Sequence, residues 1–135
     1  MKTLKSLVSL CVLTTAIIGC SDAPLTDEQI SKMSNEEVGV YVCEAFSEFV
    51  TEDANPEKLK AYLLESEYSK LVTQKNKGLP KRVQKEYSDS DCELVDMVLK
   101  EKSGMVIISY KFKSFGSNDR FKLSKEFGRY TLVDI

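Results

Sequence analysis

The sequence predicts an α+β domain in which N-terminal helices pack on one face of a C-terminal, four-stranded antiparallel meander sheet. Apolar residues recur at helical spacing up to about residue 90, and after Asp91 the period changes to two. Short glycine- and serine-containing gaps separate the alternating runs, and gaps of this length join antiparallel neighbours. Helices followed by antiparallel strands make a two-layer fold around one core. A chain of 135 residues has the size of a single domain.

Two helix starts are predicted near the beginning of this domain. Gln29 lies three residues after Thr26, and Glu37 lies three residues after Ser34, which is the spacing of a capping box. The apolar side chains after Ser34 fall at helical spacing and predict a long helix with one buried face; they are Val38, Val42, Ala45, Phe46 and Phe49.

A further helix start is predicted at Asn55 and Pro56, because asparagine can cap a helix and proline fits its first turn. The apolar pattern then continues irregularly until Gly78 and Pro80, which predict its end. One more short helical turn is predicted over residues 83–87, followed by a loop over residues 88–91.

Four strands are predicted in the last third of the chain because these runs are rich in valine, isoleucine, phenylalanine and tyrosine. They cover residues 94–100, 105–115, 120–125 and 130–135, with turns at 102–104, 116–119 and 127–128. In the second strand Ile108 and Tyr110 share a face, whereas Ser109 and Lys111 lie on the other. We therefore expect one face of the sheet to be core and the other to contact water.

The first twenty residues have the pattern of an export signal. Two lysines precede an apolar run over residues 7–18, which is shorter than the roughly 20 residues that a membrane-spanning helix needs. The junction Ile17-Ile18-Gly19-Cys20 resembles the lipobox of bacterial lipoproteins. The resemblance implies that residues 1–19 are a signal peptide, that Cys20 carries a diacylglycerol and a fatty acyl chain such as palmitate, and that residues 20–25 tether a domain over residues 26–135.

The lipobox also implies a location. In lipoproteins of bacteria with two membranes, an aspartate directly after the lipidated cysteine favours retention in the inner membrane, and here that position is Ser21. We therefore expect a protein of the cell envelope, anchored through Cys20 to the periplasmic face of the outer membrane. An ordinary secreted protein with an unmodified Cys20 is the alternative.

Two cysteines are left for the domain, since Cys11 lies in the signal and Cys20 carries lipid. An even pair in an oxidising compartment predicts a disulfide between Cys43 and Cys92. Two buried free thiols are the alternative. Redox catalysis is disfavoured because the pair lacks the Cys-x-x-Cys spacing that lowers a thiol pKa.

Composition excludes several classes of function. The chain has no histidine, which excludes Ser-His-Asp and Cys-His catalysis and disfavours a zinc site, so we expect no metal and no cofactor. Loss of Lys2 and Lys5 with the signal changes the net charge from −2 to −4, which argues against nucleic-acid binding. The basic segment over residues 75–85 is interpreted as a solvated loop, with a patch for anionic headgroups or an acidic partner as the alternative.

The order of elements resembles the nuclear transport factor 2-like, cone-shaped fold of many small bacterial lipoproteins. The resemblance is carried by residues 38–49, residues 55–64 and the segment Lys-Glu-Phe-Gly-Arg-Tyr over residues 125–130. A cystatin-like arrangement, one main helix on a sheet, is the alternative. Enzymes of the cone-shaped fold place an acid or base inside the cone, and Asp96 is the one acid within a predicted strand that could take that role. The favoured interpretation places Asp96 instead on the solvent side or at an edge of the sheet.

Three hypotheses of function follow. The first is a non-catalytic, membrane-anchored binding or accessory module that acts on an envelope protein or another envelope component. The second is a carrier of a small apolar ligand, in a cavity lined by aromatic residues that would otherwise fill the core; these are Phe46, Phe49, Tyr110, Phe112 and Phe121. The third is an enzyme that uses Asp96 as a base together with a tyrosine.

Overall fold

A computed structural model describes residues 23–51, 56–89, 91–113, 120–126 and 128–134. Within these residues the helices come first, and they are α1 (Asp27–Lys32), α2 (Asn35–Val50), α3 (Glu57–Lys60), α4 (Glu65–Asn76) and α5 (Lys81–Ser88). The strands follow as β1 (Leu94–Lys102), β2 (Met105–Phe112), β3 (Arg120–Glu126) and β4 (Arg129–Asp134). The strands form one antiparallel sheet in the order β1-β2-β3-β4. The predicted α+β class, with helices N-terminal to a four-stranded meander, is confirmed.

Some predictions fall outside the described residues. They are the signal peptide over residues 1–19, the lipidation of Cys20, the cap at Asn55 and the turn over residues 116–119. Among the described helices, none combines the length and the apolar character needed to cross a bilayer.

Both predicted capping boxes are confirmed. The Thr26 hydroxyl accepts a hydrogen bond from the Gln29 N–H, and the Gln29 side chain accepts one from the Thr26 N–H at 2.9 Å. Ser34 and Glu37 make the same reciprocal pair at the start of α2. The hydrogen bonds from Ser34, from its backbone first, lower the pKa of the Glu37 carboxyl. These local bonds fix where both helices begin.

The irregular apolar pattern after Pro56 corresponds to two separate helices, α3 and α4. Between α3 and α4 the chain leaves the helical conformation, and Leu64 has an extended backbone. This break buries the Tyr62 side chain and allows the Tyr62 carbonyl to accept the Leu132 N–H at 2.8 Å. The predicted end of this region is confirmed, since α4 stops at Asn76 and Gly78 has a left-handed φ of +88°.

The core lies between α2 and the inner face of the sheet. The strand register pairs Ile108 with Leu123 and Tyr110 with Phe121, and all four side chains are buried. Gly39 brings the α2 backbone against the Tyr110 ring, where a Cβ atom would overlap the ring carbons. The predicted division of β2 into a buried and a wetter face is therefore confirmed.

A disulfide joins the helical layer to the sheet. Cys43 of α2 and Cys92, two residues before β1, are bonded with their Cα atoms 5.8 Å apart. The predicted pairing is confirmed, and the alternative of two free thiols is wrong. Because the bond closes a loop with a sequence separation of 49, the chain-entropy model assigns it about 4 kcal/mol of stability.

Candidate functional site

A cleft of about 420 Å³ opens where α1, the α3–α4 connection and the β3–β4 hairpin meet. Its volume lies in the range of sites for small ligands. The residues that line it are Asp27, Ile30, Ser31, Ala61, Tyr62, Lys125, Gly128, Arg129 and Tyr130.

The β3–β4 hairpin supplies two cations to the cleft. Gly128 has a φ of +78°, which allows the tight turn between the strands and places Arg129 directly after it. Lys125 pairs with Tyr130 across the hairpin, and its Nζ atom lies 4.8 Å from the centre of the Tyr130 ring, a cation–π contact. Arg129 is exposed, and its Nη2 atom lies 3.5 Å from the Ala61 carbonyl oxygen.

The α1 side of the cleft supplies a single carboxylate. Asp27 lies in the first turn of α1, where a negative charge is favoured by the helix dipole. The lining therefore carries two positive charges, from Lys125 and Arg129, and one negative charge, from Asp27.

Two buried tyrosines form another part of the lining. Tyr62 is 1% exposed and Tyr130 is 6% exposed. The Tyr130 hydroxyl donates a hydrogen bond to Asn35 Oδ1 at 2.5 Å, and the nearby core residue Tyr110 donates to the Asn35 carbonyl at 2.9 Å. The Tyr62 hydroxyl is buried and has no hydrogen-bond partner among the described residues.

Burial makes the ionised form of two of these tyrosines less favourable. It raises the pKa of Tyr62 and of Tyr110, and the neighbouring Tyr130 hydroxyl raises both further. The two hydroxyls are therefore neutral at physiological pH. They can donate and accept hydrogen bonds, but they do not act as bases there.

This chemistry suits binding of an anionic group that has an apolar or aromatic part beside it. Lys125 and Arg129 can pair with a carboxylate or phosphate, while Ile30, Ala61 and the tyrosine rings offer apolar surface. The site was not predicted from the sequence, because the positions of Lys125 and Arg129 in the sequence indicate only the ends of two hairpin strands. The only local signal is that the two basic residues bracket a glycine turn.

The five aromatic residues predicted to line a ligand cavity are all buried in the core cluster. Phe121 stacks on Tyr110 with ring centres 5.0 Å apart, and on Phe112 at 5.3 Å. On α2, Phe46 lies 6.4 Å from Phe49 by the same measure. None of the five lines the cleft. Their rings contact one another as packed core side chains do.

Asp96 lies on the solvent side of the edge strand β1, as the favoured interpretation places it, and not inside an apolar cavity. Its side chain is exposed on β1. The register pairs Met97 with Tyr110 on the inner face, and neighbouring Asp96 pairs with Lys111 on the outer face. Strand alternation therefore directs this carboxylate to water.

The basic segment over residues 75–85 spans the end of α4 and the start of α5. Lys75 Nζ lies 5.5 Å from the centre of the Phe49 ring. Arg82 pairs with Glu86 one turn later, with Nε and Oε1 2.9 Å apart. Two of its cations are therefore engaged by groups of the same chain.

Comparison of the chain with protein-family models, with curated proteins and with solved structures found no match.

Proposed function

We propose that the protein is a lipid-anchored, non-catalytic binding module of the cell envelope, and that the cleft beside α1 is its binding site. The observation that carries this proposal is the lining of the cleft, where Lys125 and Arg129 flank a surface of buried tyrosines. Such a lining suits binding of an anionic group beside an aromatic surface.

The position of the cleft relative to the proposed anchor supports this function. The Leu25 N–H donates a hydrogen bond to the Tyr41 hydroxyl at 3.3 Å, so the chain joins the folded domain at this residue. Residues 20–25 span at most about 20 Å when fully extended. Because α1 begins two residues later, lipidation of Cys20 would hold the cleft close to the bilayer surface.

The disulfide is consistent with export. Bonds of this kind persist in oxidising compartments such as the periplasm and are rare in the cytosol. The order of helices and strands is consistent with the proposed nuclear transport factor 2-like family, which stays a prediction. The periplasmic face of an outer membrane is the proposed location, since Ser21 follows Cys20.

The anchor is tested by replacing Cys20 with alanine in the full chain and feeding cells a labelled fatty acid. We expect the label to be lost and the leader to stay uncleaved, because the acylated thiol is gone. Cys11→Ala, within the proposed signal, is the matched control and should still incorporate label. Label retained in Cys20→Ala, or absent from the parent protein, would refute the anchor.

The binding site is tested with a photo-crosslinking residue at Ser31, which is exposed and lines the cleft. In intact cells we expect a specific adduct that disappears in the Lys125→Gln/Arg129→Gln variant. Lys81→Gln/Lys85→Gln removes the same charge from the exposed surface of α5 and should leave the adduct unchanged. An adduct that survives loss of the two cleft cations would show that they do not bind the ligand.

A further inference from the structure

The two edges of the sheet differ in how they are covered. At the β4 edge the Leu132 N–H donates to the Tyr62 carbonyl at 2.8 Å, so the α3–α4 connection takes up an edge donor. At the other edge β1 pairs with β2 alone, and no described element pairs with its outer side. An open edge presents a row of unpaired backbone donors and acceptors that can accept another strand.

Strand β1 is long and apolar for an open edge. Its nine residues span about 30 Å, and they include no proline. Three of the five large apolar side chains that are most exposed in the described part of the chain belong to it, namely Val95, Val98 and Leu99. A bulge at Val95 interrupts the register with β2, and the strand is regular from Asp96 onward. The segment over residues 96–102 is therefore suited to pair with a further strand.

We propose that β1 pairs with β1 of a second copy of this chain, in antiparallel register, about a twofold axis at Val98. The axis stands perpendicular to the sheet, so the inner faces of the two copies stay on the same side. In this register Asp96 faces Lys100 of the second copy, and the symmetry repeats the pair. Opposite charges directly across two antiparallel strands are stabilising.

The apolar residues match in the same register. Val98 faces Val98 on the outer side, and Met97 faces Leu99 on the inner side, again twice by symmetry. The sequence Asp-Met-Val-Leu-Lys over residues 96–100 is thus complementary to its own reverse. A self-complementary patch closes on itself in a twofold dimer and leaves no surface open for further growth.

Neighbouring registers fit less well. An axis at Met97 places Asp96 opposite Val98, so the carboxylate faces an apolar side chain. An axis at Leu99 pairs Asp96 with Lys102 but sets Lys100 against Val98 and Glu101 against Met97. The axis at Val98 alone among these three pairs both central charges and sets the central apolar residues, Met97 to Leu99, opposite one another; the mismatch of Val95 opposite Glu101 falls at the bulge.

The dimer leaves the cleft accessible, because the cleft lies toward β4 and β1 is at the far edge of the sheet. The proposed pairing therefore stands independently of the proposed binding function. Its product is one continuous sheet of eight strands.

Disulfide trapping in cells tests the pairing directly. The full chain with Val98→Cys places two cysteines opposite each other at the axis, and we expect a covalent dimer on non-reducing gels. Val133→Cys is the matched control and should stay monomeric, since Val133 lies on β4 and is 54% exposed against 42% for Val98. Mass spectrometry must show the Cys43–Cys92 bond intact in both variants. No dimer with Val98→Cys, or equal dimer with both, would overturn the proposal.

A charge exchange tests the register. Lys100 faces the uncharged Ile107 within its own chain, so Lys100→Asp changes no charge pair across β1 and β2. It sets the introduced carboxylate against Asp96 of the other copy, twice by symmetry. We expect the dimer dissociation constant of the membrane-extracted full chain to rise about tenfold in sedimentation experiments. Adding Asp96→Asn to Lys100→Asp removes the interchain repulsion without setting a like charge opposite Lys111 of the same chain, and should return the constant to within about threefold of the parent value. Equal dissociation constants for the parent and Lys100→Asp, or a monomeric parent, would overturn the proposal.

Discussion

Replacing Gly39 with alanine measures how closely α2 packs on the sheet. Gly39 is buried in the second turn of α2, and an added Cβ atom would overlap three carbon atoms of the Tyr110 ring. The ring has little freedom to move. It is 1% exposed, its centre lies 5.0 Å from that of Phe121, and its hydroxyl donates to the Asn35 carbonyl.

Two opposing effects determine the sign of the change. Helix propensity alone would make alanine more stable than glycine by about 1 kcal/mol. Overpacking a filled core costs about 1–3 kcal/mol, and displacement of the Tyr110 hydroxyl from Asn35 costs about 1 kcal/mol more. We therefore expect Gly39→Ala to lower the free energy of unfolding by about 1–3 kcal/mol.

Urea unfolding followed by circular dichroism measures this difference. In a Tyr110→Leu background the ring is absent. The loss in free energy of unfolding caused by Gly39→Ala should therefore be smaller there than in the parent protein, by at least about 1 kcal/mol. If Gly39→Ala instead raises the free energy of unfolding of the parent protein by about 1 kcal/mol, the close approach of α2 to the Tyr110 ring is refuted, because that gain is expected at an open helical position.

Three further predictions concern stability. Reduction of the Cys43–Cys92 bond should lower the free energy of unfolding by about 4 kcal/mol, measured by urea unfolding with and without reductant; an unchanged midpoint would contradict the bond's role. Tyr130→Phe should lower the free energy of unfolding by about 1 kcal/mol because it removes a hydrogen bond. Tyr62→Phe should lower it less, because the Tyr62 hydroxyl makes no hydrogen bond with the described residues. Equal losses in the two variants would contradict this difference. The folded-state pKa values of Tyr62 and Tyr110 lie above the ordinary value of about 10, so their contribution is complete below pH 10 and is lost above it. Urea unfolding should show little change in the free energy of unfolding below pH 9. Above pH 10 it should show a fall that approaches about 1.4 kcal/mol per pH unit for each hydroxyl that keeps its proton, and a smaller fall in Tyr62→Phe.

The elements that could be predicted from sequence are those fixed by neighbouring residues. Thr26 and Ser34 cap their helices through bonds that reach three residues, and the pattern that signals them is equally short. The four strands were found because burial of one face imposes a period of two, and their ends shifted by at most three residues. The Cys43–Cys92 pair was predictable because the domain offers only those two thiols.

The break between α3 and α4 was not predictable, because its cause lies far away in sequence. The Tyr62 carbonyl accepts the N–H of Leu132, and the cost of interrupting the helix is offset by a bond across 70 residues. The cleft was missed for the same reason. Its walls come from α1, residues 61–62 and the β3–β4 hairpin, which only the tertiary fold brings together.

This interruption links the protection of the sheet to the candidate site. The turn that covers the β4 edge with the Tyr62 carbonyl also provides Ala61 and Tyr62 to the cleft. A change that restores a continuous helix there would open the edge and remove one wall. No described segment covers β1 in this way. A single sheet therefore has one edge used within the chain, beside the cleft, and one edge left for a second copy. Because the whole sheet separates them, ligand binding at one edge and strand pairing at the other can occur together.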